Sequence, residues 1–190
     1  MTKTKLPSIV LLLAMAAATG CQTGTGPYQP ARAEARDPSR AAELTREAAD
    51  ILLSNPERAE SLLREALTED LYHGPAHNNL GVIFMQRDEL YEAASEFEWA
   101  RKLMPGHPDP RMNLALTLER AGRIDDAMKT YETALEVYPG HLPTIQAMTR
   151  LQLRAGLEDE RTDEHLTQIV ERSSDPEWRE WARLRLAKRK

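Results

Sequence analysis

Residues 74–107 laid over residues 108–141 without a gap match at a run of chemically informative positions. Asn79 meets Asn113, Leu80 meets Leu114, Ala93 meets Ala127 and Glu98 meets Glu132. Ala100 meets Ala134, and Pro105-Gly106-His107 meets Pro139-Gly140-His141. A fixed offset of 34 residues leaves few folds open. A unit this short cannot bury its apolar face alone, so it must stack on its neighbours.

The matching positions resemble the tetratricopeptide repeat (TPR) family. Its pattern sets Leu-Gly and an aromatic in a first helix, then Ala, an aromatic, Ala and Pro across a second. Here those are Leu80-Gly81, Phe84, Ala93, Phe97, Ala100 and Pro105, then Leu114-Ala115, Leu118, Ala127, Tyr131, Ala134 and Pro139. His77 and Arg111 replace the family's early Trp. The resemblance implies an all-α, right-handed solenoid of antiparallel helix pairs, about three to four repeats long with a C-terminal capping helix. Small Gly81, Ala115, Ala93 and Ala127 permit close helix crossings. Phe97 and Tyr131 are expected to fill the space between repeats. Pro105 and Pro139 cannot continue a helix. Gly122, and Asp88 in its place one repeat earlier, suit a turn that needs positive φ.

The flanks extend the array. Asp37-Pro38 and Asn55-Pro56 pair a capping side chain with a proline at the first helical position. They predict helices over about 38–53 and 56–71, in a first repeat with its turn shortened by one residue. Repeats then fall at about 40–73, 74–107 and 108–141, with a degenerate one at 142–175. In the last, Arg161 and His165 replace the expected Ala and aromatic. Asp175-Pro176 opens a cap over 176–190, where Trp178, Trp181, Ala182 and Leu184 are expected to cover the array. Arg179, Arg183, Arg185, Lys188, Arg189 and Lys190 are expected to stay in water.

Composition agrees with helices. Aromatics are 5% of the chain, and the 41% hydrophobic content is mostly Ala, Leu and Met, which favour helix over sheet. A formal net charge of −5 gains nothing from a phosphate backbone, so nucleic acid is not an expected partner. A single cysteine excludes an internal disulfide framework.

That cysteine sits at Cys21. Before it come Lys3 and Lys5, an apolar run from Leu6 to Ala18, and the small residues Ala18-Thr19-Gly20. The run is too short to cross a hydrocarbon core. The arrangement resembles a bacterial lipoprotein signal, with residues 1–20 removed and Cys21 lipidated. Ala18 stands where that pattern prefers Leu, and an ordinary secretory signal with a stray cysteine is the alternative. Gln22, where Asp would retain the protein in the inner membrane, points to the periplasmic face of the outer membrane. Residues 21–37, rich in Gly, Thr, Pro and Ala, read as a flexible tether.

No HExxH, GxSxG or phosphate loop is present, and the chain is not expected to be an enzyme or to need a cofactor. His73, His107 and His141 lie one period apart. Equivalent residues in stacked repeats are expected on the order of 10 Å apart, whereas zinc needs its ligands within about 2.1 Å of one point. No metal site is expected.

TPR proteins commonly hold a peptide in the concave face lined by their first helices. The resemblance places Asn78, Asn79, Val82 and Met85 there, followed by Met112, Asn113, Leu116 and Arg120, then Gln146, Arg150 and Arg154. Asn79 and Asn113 occupy one row, where an amide can donate to and accept from a ligand backbone; equally, Asn is frequent in such helices. Val82 stands where the family's clamp for chaperone tails needs Asn. The groove reads as half apolar and half basic. Arg120, Arg150 and Arg154 either meet acidic groups of a ligand or pair with Glu119, Glu158 or Glu160. Two functions follow. One is a monomeric, lipid-anchored adaptor binding a protein or peptide partner, as in pilus or secretion assembly or cell-wall enzyme scaffolding. The other is a self-associating structural module.

Overall fold

The computed structural model describes residues 36–189. The proposed signal (1–20), Cys21 and nearly all of the tether (21–35) lie outside the described residues, as does Lys190. Those described form nine α-helices and no strand. They are α1 (Pro38–Ile51), α2 (Pro56–Glu69), α3 (Gly74–Gln86), α4 (Leu90–Leu103) and α5 (Asp109–Arg120), then α6 (Ile124–Val137), α7 (Leu142–Ala155), α8 (Thr162–Arg172) and α9 (Pro176–Lys188).

Helix starts follow local chemistry. Asp37 accepts from the Arg40 amide at 2.9 Å, Asn55 from Arg58 at 3.1 Å and Asp175 from Glu177 at 2.8 Å. Each satisfies an amide that the first turn leaves unpaired. The turns also repeat. Asp88 (φ 63°), Gly122 (φ 75°) and Gly156 (φ 68°) are left-handed at successive intervals of one period. Each reverses the chain after a first helix. The first repeat departs from expectation: residues 52–55 separate α1 from α2, where residues 87–89 and 121–123 suffice later. Its turn is one residue longer than the others, and none of its residues is left-handed.

Within each pair the helices are held by a large residue against a small one. Phe97 on α4 is fully buried, and its ring stands where a Cβ on Gly81 of α3 would lie 2.7 Å from Cε1. Tyr131 on α6, also fully buried, donates its hydroxyl to Glu119 of α5 at 3.0 Å. Both residues thus reach the partner helix of their own repeat. Ala93, Ala127 and Ala115 are completely enclosed. His77, in place of the early Trp, is enclosed too. Its two ring nitrogens meet Glu96 at 2.6 Å and the Leu71 carbonyl at 2.8 Å, and its ring stacks on Trp99. Two polar bonds and a flat face replace what an indole would supply by bulk.

One apolar core runs from α1 into α7, and a second joins α7, α8 and α9 through Ile145, Leu166, Ile169 and Ala182. Trp178, Trp181 and Leu186 pack against the second. Leu184, expected there, is instead 51% exposed, because Ala182 and Leu186 occupy the inward stripe of α9. Arg189 stays exposed as expected, and its guanidinium pairs at the surface with Asp163 and Glu158.

Candidate partner-binding groove

The first helices of successive pairs, α1, α3, α5 and α7, touch one another in sequence, whereas α2, α4 and α6 make no comparable contacts. A stack that is narrower on one side curves toward that side. The first helices therefore line the inner face, and α9 takes the next position in their series by packing on α8.

Asn78 and Asn79 come from the middle of α3, and Asn113 from the equivalent level of α5. Asn113 donates to Asn78 Oδ1 at 3.0 Å, and Asn78 in turn lies 3.5 Å from Asn79 Oδ1. Asn113 is almost completely buried, while Asn78 and Asn79 are half-buried. The three amides form one polar string across two repeats. Asn113 acts as its inner strut, so the string meets the groove at Asn78 and Asn79. The amide nitrogen of Asn79 donates to no acceptor among the described residues.

Beside the string lie Val82, Met85, Met112 and Leu116, all half-buried and packed against the main core. They form an apolar strip one helix turn from the amides. Thr117 approaches the Met85 sulfur at 3.5 Å.

The arginines separate into two sites. Arg120 donates to the Met85 carbonyl at 2.6 Å and to Asp88 at 2.8 Å. It closes the last turn of α3, whose carbonyls have no partners within the helix. Arg154 and Arg150 instead converge on Glu119, at 2.8 and 3.8 Å. The Glu119 side chain is only 7% exposed and also accepts the Tyr131 hydroxyl. Burial, then the neighbouring Glu119 charge, raises the Tyr131 phenol well above its ordinary range. Pairing with Glu119 is therefore present, and pairing with Glu158 or Glu160 is not: Glu158 is met by Arg189. The cluster keeps one net positive charge, from two guanidiniums on one carboxylate. Gln146 turns to Ser173 at 3.3 Å, tying α7 to the segment before α9.

Sequence reasoning did not foresee a hollow of about 210 Å³ between α7 and α9, lined by Arg150, Asp175, Glu177, Trp178 and Trp181. Trp178 and Trp181 meet edge to face at 5.2 Å. Their three-residue spacing on α9 was the available signal; that Arg150 faces them depends on how α9 docks.

Two of the three periodic histidines share a carboxylate. His107 and His141 both reach Asp109, at 3.5 and 3.1 Å, because the loops between repeats fold onto the start of α5. His73 does not join them. Among the described residues no group of three His, Cys, Asp or Glu is arranged to hold a metal ion.

Residues 85–151 match the family model of the tetratricopeptide repeat. A 94-residue stretch is 24% identical to mouse tetratricopeptide repeat protein 8, covering 50% of this chain and 18% of that protein. This chain thus spans less than a fifth of that relative. The fold resembles the first TPR domain of Spaghetti (RPAP3) bound to an HSP90 peptide, with TM-score 0.60 and 15% identity over 64% of this chain and 98% of that one. It also resembles MamA of Desulfovibrio magneticus RS-1, with TM-score 0.60 and 19% identity over 75% and 80% of the two chains. The Thermobaculum terrenum O-GlcNAc transferase has TM-score 0.63 and 19% identity, with 72% of this chain covering 26% of that one. At such identities the likeness is one of fold: an all-α helical-repeat solenoid.

Proposed function

We propose that this chain is a non-catalytic adaptor that holds a segment of a protein partner in the groove lined by α3, α5 and α7. The observation that carries the proposal is the open amide string beside the apolar strip. Asn78 and Asn79 offer hydrogen-bonding groups to a ligand backbone, and Val82, Met85, Met112 and Leu116 offer surface that loses water on contact. A relative in fold has been solved with a peptide bound, which supports this use of the architecture. Arg150 and Arg154 stand two to one against Glu119, with Asp175 and Glu177 lining the hollow beside Arg150, so a ligand carboxylate would be met from the Arg154 side. Exposed pairs of this kind contribute about 0.2–1 kcal/mol each, so they orient more than they hold.

The reading extends to the envelope. Lipidation at Cys21 would anchor the adaptor on the periplasmic face of a bacterial outer membrane, with residues 22–37 as a tether. Assembly of pili or secretion machinery, or scaffolding of cell-wall enzymes, are roles such an adaptor fits, and it is expected to act as a monomer.

The test uses the full membrane-bound chain, crosslinked in cells and purified with its partner. Leu116→Asp, on the apolar strip, is expected to abolish capture; because Leu116 also packs on the main core, the variant is compared well below its own melting temperature, with its helical circular dichroism shown to match the parent. Capture undiminished by this change, or by Asn79→Ala combined with it, would refute the groove as the binding face.

A further inference from the structure

A further cavity lies on the opposite side of the molecule. It is a cleft of about 560 Å³ between α4 and α6, with α5 as its floor. The two walls do not pack on each other, because the outer helices splay where the inner ones converge. Leu114 and Leu118, one helix turn apart on α5, form an apolar floor.

The α4 wall is unusual. Tyr91, Trp99 and Lys102 recur along one stripe of the helix with Ala94 and Ser95 between them. Tyr91 is 84% exposed and Trp99 43%. Trp99 is held in place by stacking one face on the enclosed His77, with centroids 5.6 Å apart. An exposed aromatic fixed from behind loses little freedom on contact, and small residues beside it let a partner's backbone approach.

The repeats supply an internal control. One period later, the positions of Tyr91, Trp99 and Lys102 hold Asp125, Thr133 and Glu136; one period earlier they hold Glu57, Glu65 and Thr68. The fold itself therefore demands neither the aromatics nor the lysine. The corresponding cleft between α6 and α8 is lined by Glu132, Glu136 and Glu164 against Arg161 alone. Two clefts of like shape carry opposite charge.

The charges in the α4–α6 cleft are unbalanced in one direction. Glu98 is met by Arg101 at 2.6 Å and Asp126 by Arg123 at 2.7 Å. Both carboxylates are thus neutralised from within. Lys102 and Lys129, on opposite walls, have no carboxylate within ion-pair reach among the described residues. In a chain of net charge −5, this is a local positive field over an apolar floor.

We propose that this cleft is a second binding site, independent of the inner groove, for a protein segment that presents an aromatic or long aliphatic side chain flanked by carboxylates. The apolar group enters between Tyr91 and Trp99 onto Leu114 and Leu118, and the carboxylates meet Lys102 and Lys129. Aromatic residues in partly desolvated clefts are the type that dominates interface energetics, and the lysines set orientation and salt dependence.

The probe is a displayed library of short random peptides, panned on the full chain and counter-selected on Tyr91→Ala/Lys102→Glu/Lys129→Glu. All three residues are at the surface, so the variant should melt with the parent. Enriched peptides are expected to carry an aromatic or Leu beside Asp or Glu. They should lose about tenfold or more in affinity on Tyr91→Ala, weaken with salt, and bind Leu116→Asp unchanged. Failure of any peptide to enrich over the counter-selecting variant would overturn the proposal. So would enriched peptides whose binding is lost in Leu116→Asp alone. Anionic phospholipid vesicles are run alongside. Vesicle binding that vanishes in the triple variant, with no peptide enriched, would assign the cleft to a lipid surface and overturn the peptide assignment.

Discussion

The side-chain amide of Asn113 donates to Oδ1 of Asn78 at 3.0 Å, across the boundary between two repeats. The two residues of the expected Asn row, Asn79 and Asn113, thus have different tasks. Asn113 uses its amide in the fold, and the amide nitrogen of Asn79 has no acceptor among the described residues. Asn113→Ala should lower stability by about 1–2 kcal/mol, because it leaves half-buried Asn78 without its donor. Asn79→Ala should leave stability within about 0.5 kcal/mol of the parent, as surface changes usually do. Urea unfolding of the two variants separates them; equal effects would show that the string is not divided in this way.

Gly81 and Gly106 make a second contrast. A Cβ on Gly81 would stand 2.7 Å from a ring atom of enclosed Phe97, whereas one on Gly106 meets nothing within 4 Å. Gly81→Val is expected to destabilise by about 1–3 kcal/mol through overpacking. Gly106→Ala should be neutral or slightly stabilising, since it only restricts the unfolded chain. Thermal melts of both variants check the close crossing of α3 and α4.

Acid should weaken the fold through its buried imidazoles. Burial lowers the pKa of His165, and the nearby Arg161 lowers it further; burial also lowers His73 and His141. The Nδ1 of His165 is buried without a partner. A histidine with a depressed folded pKa is kept neutral by folding, while the unfolded chain takes up a proton below its ordinary value near 6.5. Stability from this source is full above that value and is lost as pH falls through it toward the lower folded pKa. The melting temperature should therefore decline between about pH 7 and pH 5. The decline should be shallower in His165→Leu; an identical slope would remove His165 from the explanation.

The anchor has its own check. Labelled palmitate should enter the native protein and co-sediment with membranes, and Cys21→Ser should abolish both. Incorporation that persists in Cys21→Ser would contradict lipidation at this residue.

Much of the architecture was legible because it depends on local chemistry repeated at a fixed period. Asp37, Asn55 and Asp175 announce helix starts by their own side chains, and Pro105 and Pro139 announce stops. Gly122 and Asp88 mark turns through the backbone conformation that they tolerate. The groove was legible as a face but not as a set of contacts. Arg154 meets Glu119, and Arg120 meets Met85 and Asp88, across neighbouring repeats. Such pairs depend on the small rotation from one repeat to the next, which periodicity does not encode. The same rotation opens the cleft beside Tyr91 and docks Trp178 and Trp181 near Arg150. Leu184 was misplaced for a related reason. On a short amphipathic helix with basic residues on every side, the inward stripe is decided by docking rather than by composition.

The central claim is that a partner lies against the inner face of α3 and α5. A photoreactive benzophenone side chain placed at position 116, at position 82 and, as control, at position 53 tests it directly. Leu53 is 85% exposed in the turn between α1 and α2, away from both proposed sites. In cells carrying the full chain, irradiation should yield a discrete crosslinked protein from positions 116 and 82 and none from position 53. Adducts at position 53 equal to those at 116, or no adduct from either groove position, would contradict the account.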